Sequence, residues 1–96
     1  MARTWLACDM DDGILRSAPA KRELLTWWRG LHEGSRVQVT RARAGVYEVH
    51  AVEDGEYTGQ AWLMTATAAK RAGFDPTQAP LYPLADDPYE RVGRAA

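Results

Sequence analysis

Three side chains of the sequence are capable of nucleophilic or general-base chemistry: Cys8, His32 and His50. A cysteine becomes a nucleophile when a nearby base or positive charge holds it as a thiolate. Cys8 stands in an apolar run that predicts a strand, where a buried, unreactive thiol is the commoner arrangement. Neither histidine has flanking residues typical of a catalytic base, and one cysteine with two histidines is too few for a zinc site. We therefore expect no catalytic residue.

A second group with chemical potential is the carboxylate run at Asp9, Asp11 and Asp12, which follows the same apolar segment. Carboxylates placed after a strand can hold Mg²⁺. The run loosely resembles the aspartate signature of haloacid-dehalogenase-type phosphatases. In that signature the glycine directly follows the second aspartate, whereas here Asp12 stands between Asp11 and Gly13. The spacing of a calcium-binding loop is also missing. We expect an acidic turn, no metal or other cofactor, and a protein that is not an enzyme.

Positive charge is concentrated in one part of the chain, although the formal net charge is −1. Residues 16–43 hold seven basic and two acidic side chains, and the segments on both sides are acidic. Either these segments pair with one another in the fold, or the basic segment forms a surface for an acidic partner. The first explanation is the simpler one. The second makes residues 16–43 a candidate binding surface.

Trp27 lies at the border of the apolar stripe of a predicted helix, beside a face that carries arginine. Tryptophan and arginine are frequent anchors of protein interfaces. An ordinary, partly buried aromatic residue explains Trp27 equally well. The candidate interaction residues are Trp27, Arg22, Arg29, Arg36, Arg41 and Arg43.

The first half of the chain predicts a strand and a helix. Residues 3–9 read as a short strand, and Asp11-Asp12-Gly13 is a turn signal. After the turn the chain either folds back as a hairpin or passes directly into the helix. The helix is predicted over residues 18–33, with Ser17 as its N-cap and the stripe of Leu24, Trp28 and Leu31 toward the core.

Two alternating segments, residues 36–43 and 46–52, predict a β-hairpin with Ala44 and Gly45 as its turn. That turn would place Arg41 opposite Glu48. The alternation does not decide which face of the hairpin is buried.

A second helix is predicted over residues 58–72, which are rich in alanine. Gly73 offers the left-handed cap that ends a helix, and Pro76 blocks its continuation. From Asp75 onward prolines punctuate an extended segment. The run Pro80-Leu81-Tyr82-Pro83 either packs on the domain or serves as a proline-rich ligand for a partner.

The predicted fold class is α+β: a small β-α-β-β-α domain with an antiparallel or mixed sheet packed on two helices that lie on one face, followed by an extended proline-rich C-terminal tail. Residues 1–84 form the predicted domain and residues 85–96 a flexible tail. The single cysteine and the absence of a signal sequence predict a cytoplasmic protein. No apolar run is long enough for a membrane helix.

These features predict a non-catalytic protein-binding module that acts by surface complementarity. Its short, motif-free chain is typical of the accessory or inhibitor proteins of phages and mobile elements. The predicted partner is another protein, and no membrane is involved. The alternative is a nucleic-acid-binding protein that uses the arginine-rich segment 16–43, because arginine with aromatic side chains can bind phosphates and bases. A homodimer is a third alternative, because a domain with a thin core often gains stability from an added interface.

Overall fold

A sheet of five antiparallel strands forms the centre of the protein in a computed structural model, which describes residues 4–82. The strands lie in the order β2-β1-β5-β4-β3, so β2 and β3 are its two edges. The single domain is therefore α+β, as predicted. The elements in chain order are β1 (Trp5–Asp9), β2 (Gly13–Ala18), α1 (Lys21–Leu31), β3 (Arg36–Arg43), β4 (Val46–Glu53), β5 (Glu56–Thr65) and α2 (Ala66–Arg71).

The two faces of the sheet carry separate apolar clusters, because successive side chains of a strand point to opposite faces. On one face α1 packs over a cluster that includes Ala7, Val49 and Leu63. On the other face α2 packs over a cluster that includes Cys8 and Met64, so the prediction of both helices on one face is wrong. We call these the α1 face and the α2 face.

Helix α1 is shorter than predicted and begins after Ala20. Ser17, the predicted N-cap, belongs to β2, and the Glu23 carboxylate instead accepts a hydrogen bond of 3.1 Å from the Ala20 amide. Leu24 and Trp28 are buried as the apolar stripe predicts, but Leu31, at the end of the helix, is 48% exposed and does not belong to the core. Neither helix within residues 4–82 is long and apolar enough to cross a membrane.

The predicted second helix is wrong over residues 58–65, which form the strand β5. This strand pairs with β1 on one side and β4 on the other. Because α1 and α2 pack on opposite faces of the sheet, the second half of β5 is buried on both faces. A strand buried on both faces is apolar without clear alternation, and its sequence resembles that of a buried helix. Only Ala66–Arg71 is helical, and the predicted end at Gly73 is confirmed by its φ of +97°.

The chain folds back directly after β1, so the first of the two alternatives left open by the sequence is the observed one. Residues Gly13–Ala18 form β2 and pair antiparallel with β1. The predicted β-α-β-β-α order is corrected in two places, since this hairpin and β5 both add a strand. The observed order is β-β-α-β-β-β-α, and every strand pair is antiparallel.

The β3–β4 hairpin turns at Ala44 and Gly45 as predicted, but its register is not the predicted one. An irregularity between Arg41 and Arg43 shifts the pairing, so that Arg41 lies opposite Tyr47 and Thr40 opposite Glu48. The predicted Arg41–Glu48 pair is therefore wrong.

The segment after α2 returns to the β2 edge of the sheet. The amides of Leu81 and Tyr82 donate hydrogen bonds to the carbonyl oxygens of Ile14 and Leu15, at 3.0 and 2.7 Å. These two residues therefore extend the hydrogen-bonding of β2 at its outer side. The predicted flexible tail, residues 85–96, lies outside the described residues.

Candidate functional site

Strand β3 forms the exposed edge of the sheet at the end opposite to β2. Among the described strands it pairs with β4 alone. All eight of its residues are exposed except Val37, which is half-buried. Within the described residues no other strand pairs with its outer side, so this row of backbone N–H and C=O groups is open to a partner.

Three of the predicted interaction residues, Arg36, Arg41 and Arg43, lie on this edge strand, and the structure brings them together there. Within residues 4–82 none of their guanidinium groups forms an ion pair or a hydrogen bond. For these arginines, pairing with the acidic parts of the described chain therefore does not explain the segregation of charge. The strand presents three positive charges and no negative one.

The strand places its arginines on both faces of the sheet. Arg41 lies opposite Tyr47, whose ring packs against the α1 cluster. Arg43 contributes to a cavity on the α2 face together with Trp62. A segment bound along β3 would therefore meet a guanidinium on each of its two sides.

The predicted residues Arg22 and Arg29 are also exposed, but they lie on α1. That helix packs chiefly against β1, β2 and β5. The structure therefore places these two arginines on a different element from the three of the edge strand.

Trp27 lies near the β2 edge, at the other end of the sheet. The Arg16 guanidinium carbon lies 5.2 Å from the centre of one of its rings, and the Tyr82 ring centre lies 5.4 Å from it. Trp27 is half-buried in these contacts. The four strand spacings between β2 and β3 amount to about 19 Å, so Trp27 does not share one surface with the arginines of β3.

An open part of the α2 face was not predicted from the sequence. Helix α2 has only six residues, and farther along the face the His50 and Tyr57 rings stack with their centres 4.6 Å apart. Tyr57 is 68% exposed. The sequence pattern predicts a helix over residues 58–72, so these residues were not expected to form part of an open sheet surface. Residues 59–62 alternate small and large side chains, Gly-Gln-Ala-Trp, and that alternation was the available signal.

A cavity of about 290 Å³ adjoins this open surface, between the β1–β2 turn, β5, the chain after α2 and the end of the β3–β4 hairpin. Trp62, Phe74 and Met64 supply apolar walls, and Arg43 and Glu48 supply charges. The Trp62 indole N–H donates a long hydrogen bond of 3.5 Å to Glu48 Oε1.

The candidate nucleophile Cys8 is fully buried in the central part of the sheet. Burial raises the pKa of its thiol from 9.0 to about 12, because the thiolate loses its hydration. His32 packs against the Trp28 ring on α1, with the ring centres 4.2 Å apart, and lies over the backbone of Gly59. His50 stacks on Tyr57 on the opposite face. The thiol is therefore protonated at neutral pH, and the two histidines face different sides of the sheet.

The carboxylates of residues 9–12 lie around the β1–β2 turn. Asp9 Oδ1 accepts a hydrogen bond of 2.7 Å from the Asp11 amide, an arrangement that closes a turn locally. Within residues 4–82 no three His, Cys, Asp or Glu side chains lie close enough together to hold a metal ion.

No protein-family model, curated protein or solved structure matches this chain. The candidate function is therefore inferred from the exposure, backbone and charge of the edge strand.

Proposed function

We propose that the protein is a non-catalytic binding module that takes up an extended, acidic segment of a partner protein along the free edge of β3. The observation that carries this proposal is the set of three guanidinium groups on an exposed edge strand, at Arg36, Arg41 and Arg43, without a partner in residues 4–82. Two independent features of β3, its outer backbone groups and its arginine charges, have no partner within residues 4–82 and favour the same kind of ligand.

The backbone of β3 supplies the first part of the affinity. An extended peptide adds a strand to a sheet edge, and its main-chain hydrogen bonds do not depend on the peptide sequence. The eight residues of β3 present an edge about 26 Å long. That length accommodates a partner segment of similar size.

The arginines supply the selectivity. Carboxylates accept two parallel hydrogen bonds from a guanidinium, and these charge-assisted bonds are stronger than neutral ones. Because Arg41 and Arg43 point to different faces of the sheet, a matching segment has acidic residues on both of its faces. A basic segment would be repelled by the same charges.

The same charges disfavour a homodimer through this edge. If two β3 strands paired antiparallel about their centre, Arg36 of one copy would face Arg43 of the other. Like charges directly opposite each other in a sheet are destabilising. Arginine on an edge strand therefore protects against self-pairing while it remains available to an acidic partner.

Titration of the isotope-labelled protein with a peptide of three Glu-Glu-Thr-Thr repeats, which carries glutamate on both faces of an extended chain, tests the proposal by NMR. We expect amide shift changes in β3 and in its neighbour β4, and none in β2. A peptide of three Lys-Lys-Thr-Thr repeats is the matched control and should leave the spectrum unchanged. The proposal is wrong if the acidic peptide leaves β3 unperturbed, or if both peptides bind equally well.

Two sets of substitutions locate the charge effect. Changing Arg36, Arg41 and Arg43 together to Gln should weaken binding of the acidic peptide about tenfold, because three exposed charge pairs of ~0.5 kcal/mol each are lost. The matched control changes Arg22 and Arg29 to Gln, two exposed arginines on α1, and should leave binding within about twofold. Equal weakening by both sets would indicate general electrostatic attraction instead of a site on β3.

A second candidate function is single-stranded nucleic-acid binding, favoured by the aromatic side chains of the open α2 face. Tyr57 is largely exposed, and bases stack on such rings while arginine binds phosphate. Acidic side chains at Glu48, Glu53 and Glu56 on the same two strands, β4 and β5, oppose a phosphate backbone, so we rank this function second.

A dodecamer of thymidylate tests the second candidate. Shift changes at His50 and Tyr57, with an affinity that falls steeply as salt rises, would support nucleic-acid binding. If they occur while the acidic peptide has no effect, nucleic acid replaces protein as the proposed partner. The origin in a phage or mobile element stays a prediction, because chain length and missing motifs are its whole basis.

A further inference from the structure

The cavity on the α2 face has the size of a site for one small molecule. Its volume is about 290 Å³, whereas a cavity of ~150 Å³ already accommodates a benzene ring. A ring with a short polar chain therefore fits. The cavity lies between the β1–β2 turn, β5, the chain that follows α2 and the end of the β3–β4 hairpin, so four separate parts of the fold form its walls.

The walls favour an aromatic ring. Trp62 and Phe74 are half-buried and present ring surfaces, and Met64 is buried behind them. Met10, which is 76% exposed, lines this cavity and also the neighbouring cavity on Trp62. Methionine adapts to the shape of a ligand and makes favourable contacts with aromatic rings.

Charges of both signs line the same cavity. Arg43 carries a guanidinium, and Glu48 carries a carboxylate of which Oε1 accepts the Trp62 indole N–H at 3.5 Å. Within the described chain Arg43 and Glu48 form no ion pair with each other. A half-buried carboxylate with one uncommitted oxygen, and a guanidinium without a partner in residues 4–82, are both able to bind a ligand.

We infer that this cavity binds a free aromatic α-amino acid. The Arg43 guanidinium would bind the α-carboxylate, the Glu48 carboxylate would accept from the α-ammonium group, and the ring would lie against Trp62 and Phe74. An aromatic carboxylate alone would meet the repulsion of Glu48, and an aromatic amine alone would meet that of Arg43. A zwitterion satisfies both charges at once.

The inference goes beyond the proposed function and does not depend on it. Arg43 takes part in both, but Glu48 faces the cavity and belongs to β4 instead of the free edge. Loss of amino-acid binding in a Glu48 variant that still binds the acidic peptide would therefore separate the two sites.

Titration with L-phenylalanine, followed through the indole N–H resonance of Trp62, tests the inference. The spectrum of the Trp62→Phe variant identifies that resonance among the four tryptophans. We expect it to shift with saturation at millimolar phenylalanine, and 3-phenylpropionate and phenethylamine to bind at least about tenfold more weakly, since each lacks one charge. No shift up to ~10 mM phenylalanine, or equal binding of all three compounds, would overturn the inference.

Two substitutions test which charged side chain of the cavity binds which charged group of the amino acid. Glu48→Gln should weaken phenylalanine about tenfold while it improves 3-phenylpropionate, because the repelling charge is gone. Arg43→Gln should weaken phenylalanine and 3-phenylpropionate but improve phenethylamine. Arg22→Gln, on α1, is the control and should change nothing. Far-ultraviolet circular dichroism confirms that the variants are folded, and unaltered affinities in folded Glu48 and Arg43 variants would show that the cavity is not the site.

Discussion

The two edges of the sheet differ in what covers them. At β2, Leu81 and Tyr82 donate hydrogen bonds to the backbone carbonyls of Ile14 and Leu15. At β3, no other part of the described chain pairs with the strand, and seven of its eight residues are exposed. Within residues 4–82 the β2 edge is therefore partly covered by the protein's own chain, whereas the β3 edge is not covered.

The side chains of the two edges differ in the same way. Arg16 on β2 is only 4% exposed and lies over the Trp27 ring, which in turn contacts Tyr82. The arginines of β3 make no such contact within residues 4–82. The same residue type is thus part of the packing at one edge and an open charge at the other. An arginine in a sequence therefore indicates a candidate binding surface only where the fold leaves its guanidinium group without a partner.

We expect the greatest change in the free energy of unfolding when one apolar residue of each edge is truncated and the two losses are compared. Ile14→Ala on β2 removes a side chain that is fully buried, and we expect the free energy of unfolding to fall by ~2–5 kcal/mol. Val39→Ala on β3 truncates a side chain that is 39% exposed, and it should cost less than ~1 kcal/mol. Urea unfolding measures both. Similar losses at the two positions would contradict the difference between the edges.

The second effect concerns the cover of β2. Trp27→Ala removes the ring between Arg16 and Tyr82, and we expect a loss of ~1–3 kcal/mol in the free energy of unfolding. Hydrogen exchange of the Leu81 and Tyr82 amides should become faster, whereas exchange in β3 should not change. Trp27→Phe keeps a ring and is the milder control. If these two amides exchange at the wild-type rate in Trp27→Ala, Trp27 does not hold the cover in place.

The third effect is a pH dependence from Cys8 on β1, one strand inside the covered edge. In the folded protein burial raises the pKa of this thiol to about 12, whereas its ordinary pKa is 9.0. Above pH 9 the unfolded chain loses this proton and the folded protein keeps it. The Cys8 contribution to the free energy of unfolding should therefore fall by up to ~1.4 kcal/mol per pH unit until the folded thiol ionises.

The comparison of wild type with Cys8→Ala isolates this contribution, because titration of lysine and tyrosine is common to both proteins. The difference in their free energies of unfolding should be constant below pH 9 and should shrink above it. A difference independent of pH would show that the thiol is accessible to water in the folded state.

The smallest effect on stability is expected at the open edge. Changing Arg36, Arg41 and Arg43 to Thr should alter the free energy of unfolding by less than ~0.5 kcal/mol. Self-association should nevertheless increase, because the uncharged edge no longer repels a second copy. Sedimentation velocity over a concentration series measures this change. An unchanged sedimentation profile would mean that the charges do not guard this edge.

Parts of the fold with strong local signals could be predicted from the sequence. The α1 stripe placed Leu24 and Trp28 in the core, and the Ala44-Gly45 turn joins β3 to β4 as predicted. Gly73 ends α2 because its φ of +97° suits a residue without a side chain. In each case residues close together in the chain determine the conformation.

The errors lie where contacts between distant segments decide the conformation. Residues 58–65 have the composition of a helix, but pairing with β1 and β4 makes them a strand. The one-residue irregularity in β3 removed the predicted Arg41–Glu48 pair, because a single shift changes every later partner. The open part of the α2 face was not predicted, because the same strand was predicted to be a helix.

The alternation of β3 and β4 and the positive charge of β3 could be read from the sequence, because both are properties of adjacent residues. The fold, in contrast, makes β3 an edge of the described sheet and leaves its arginines without partners within residues 4–82. It also brings Leu81 and Tyr82 into hydrogen bonds with the opposite edge. Strand order depends on which segments meet across the sheet. No local pattern of residues encodes which strands become neighbours in the sheet. The candidate site on the edge of β3 therefore could not be located from the sequence alone.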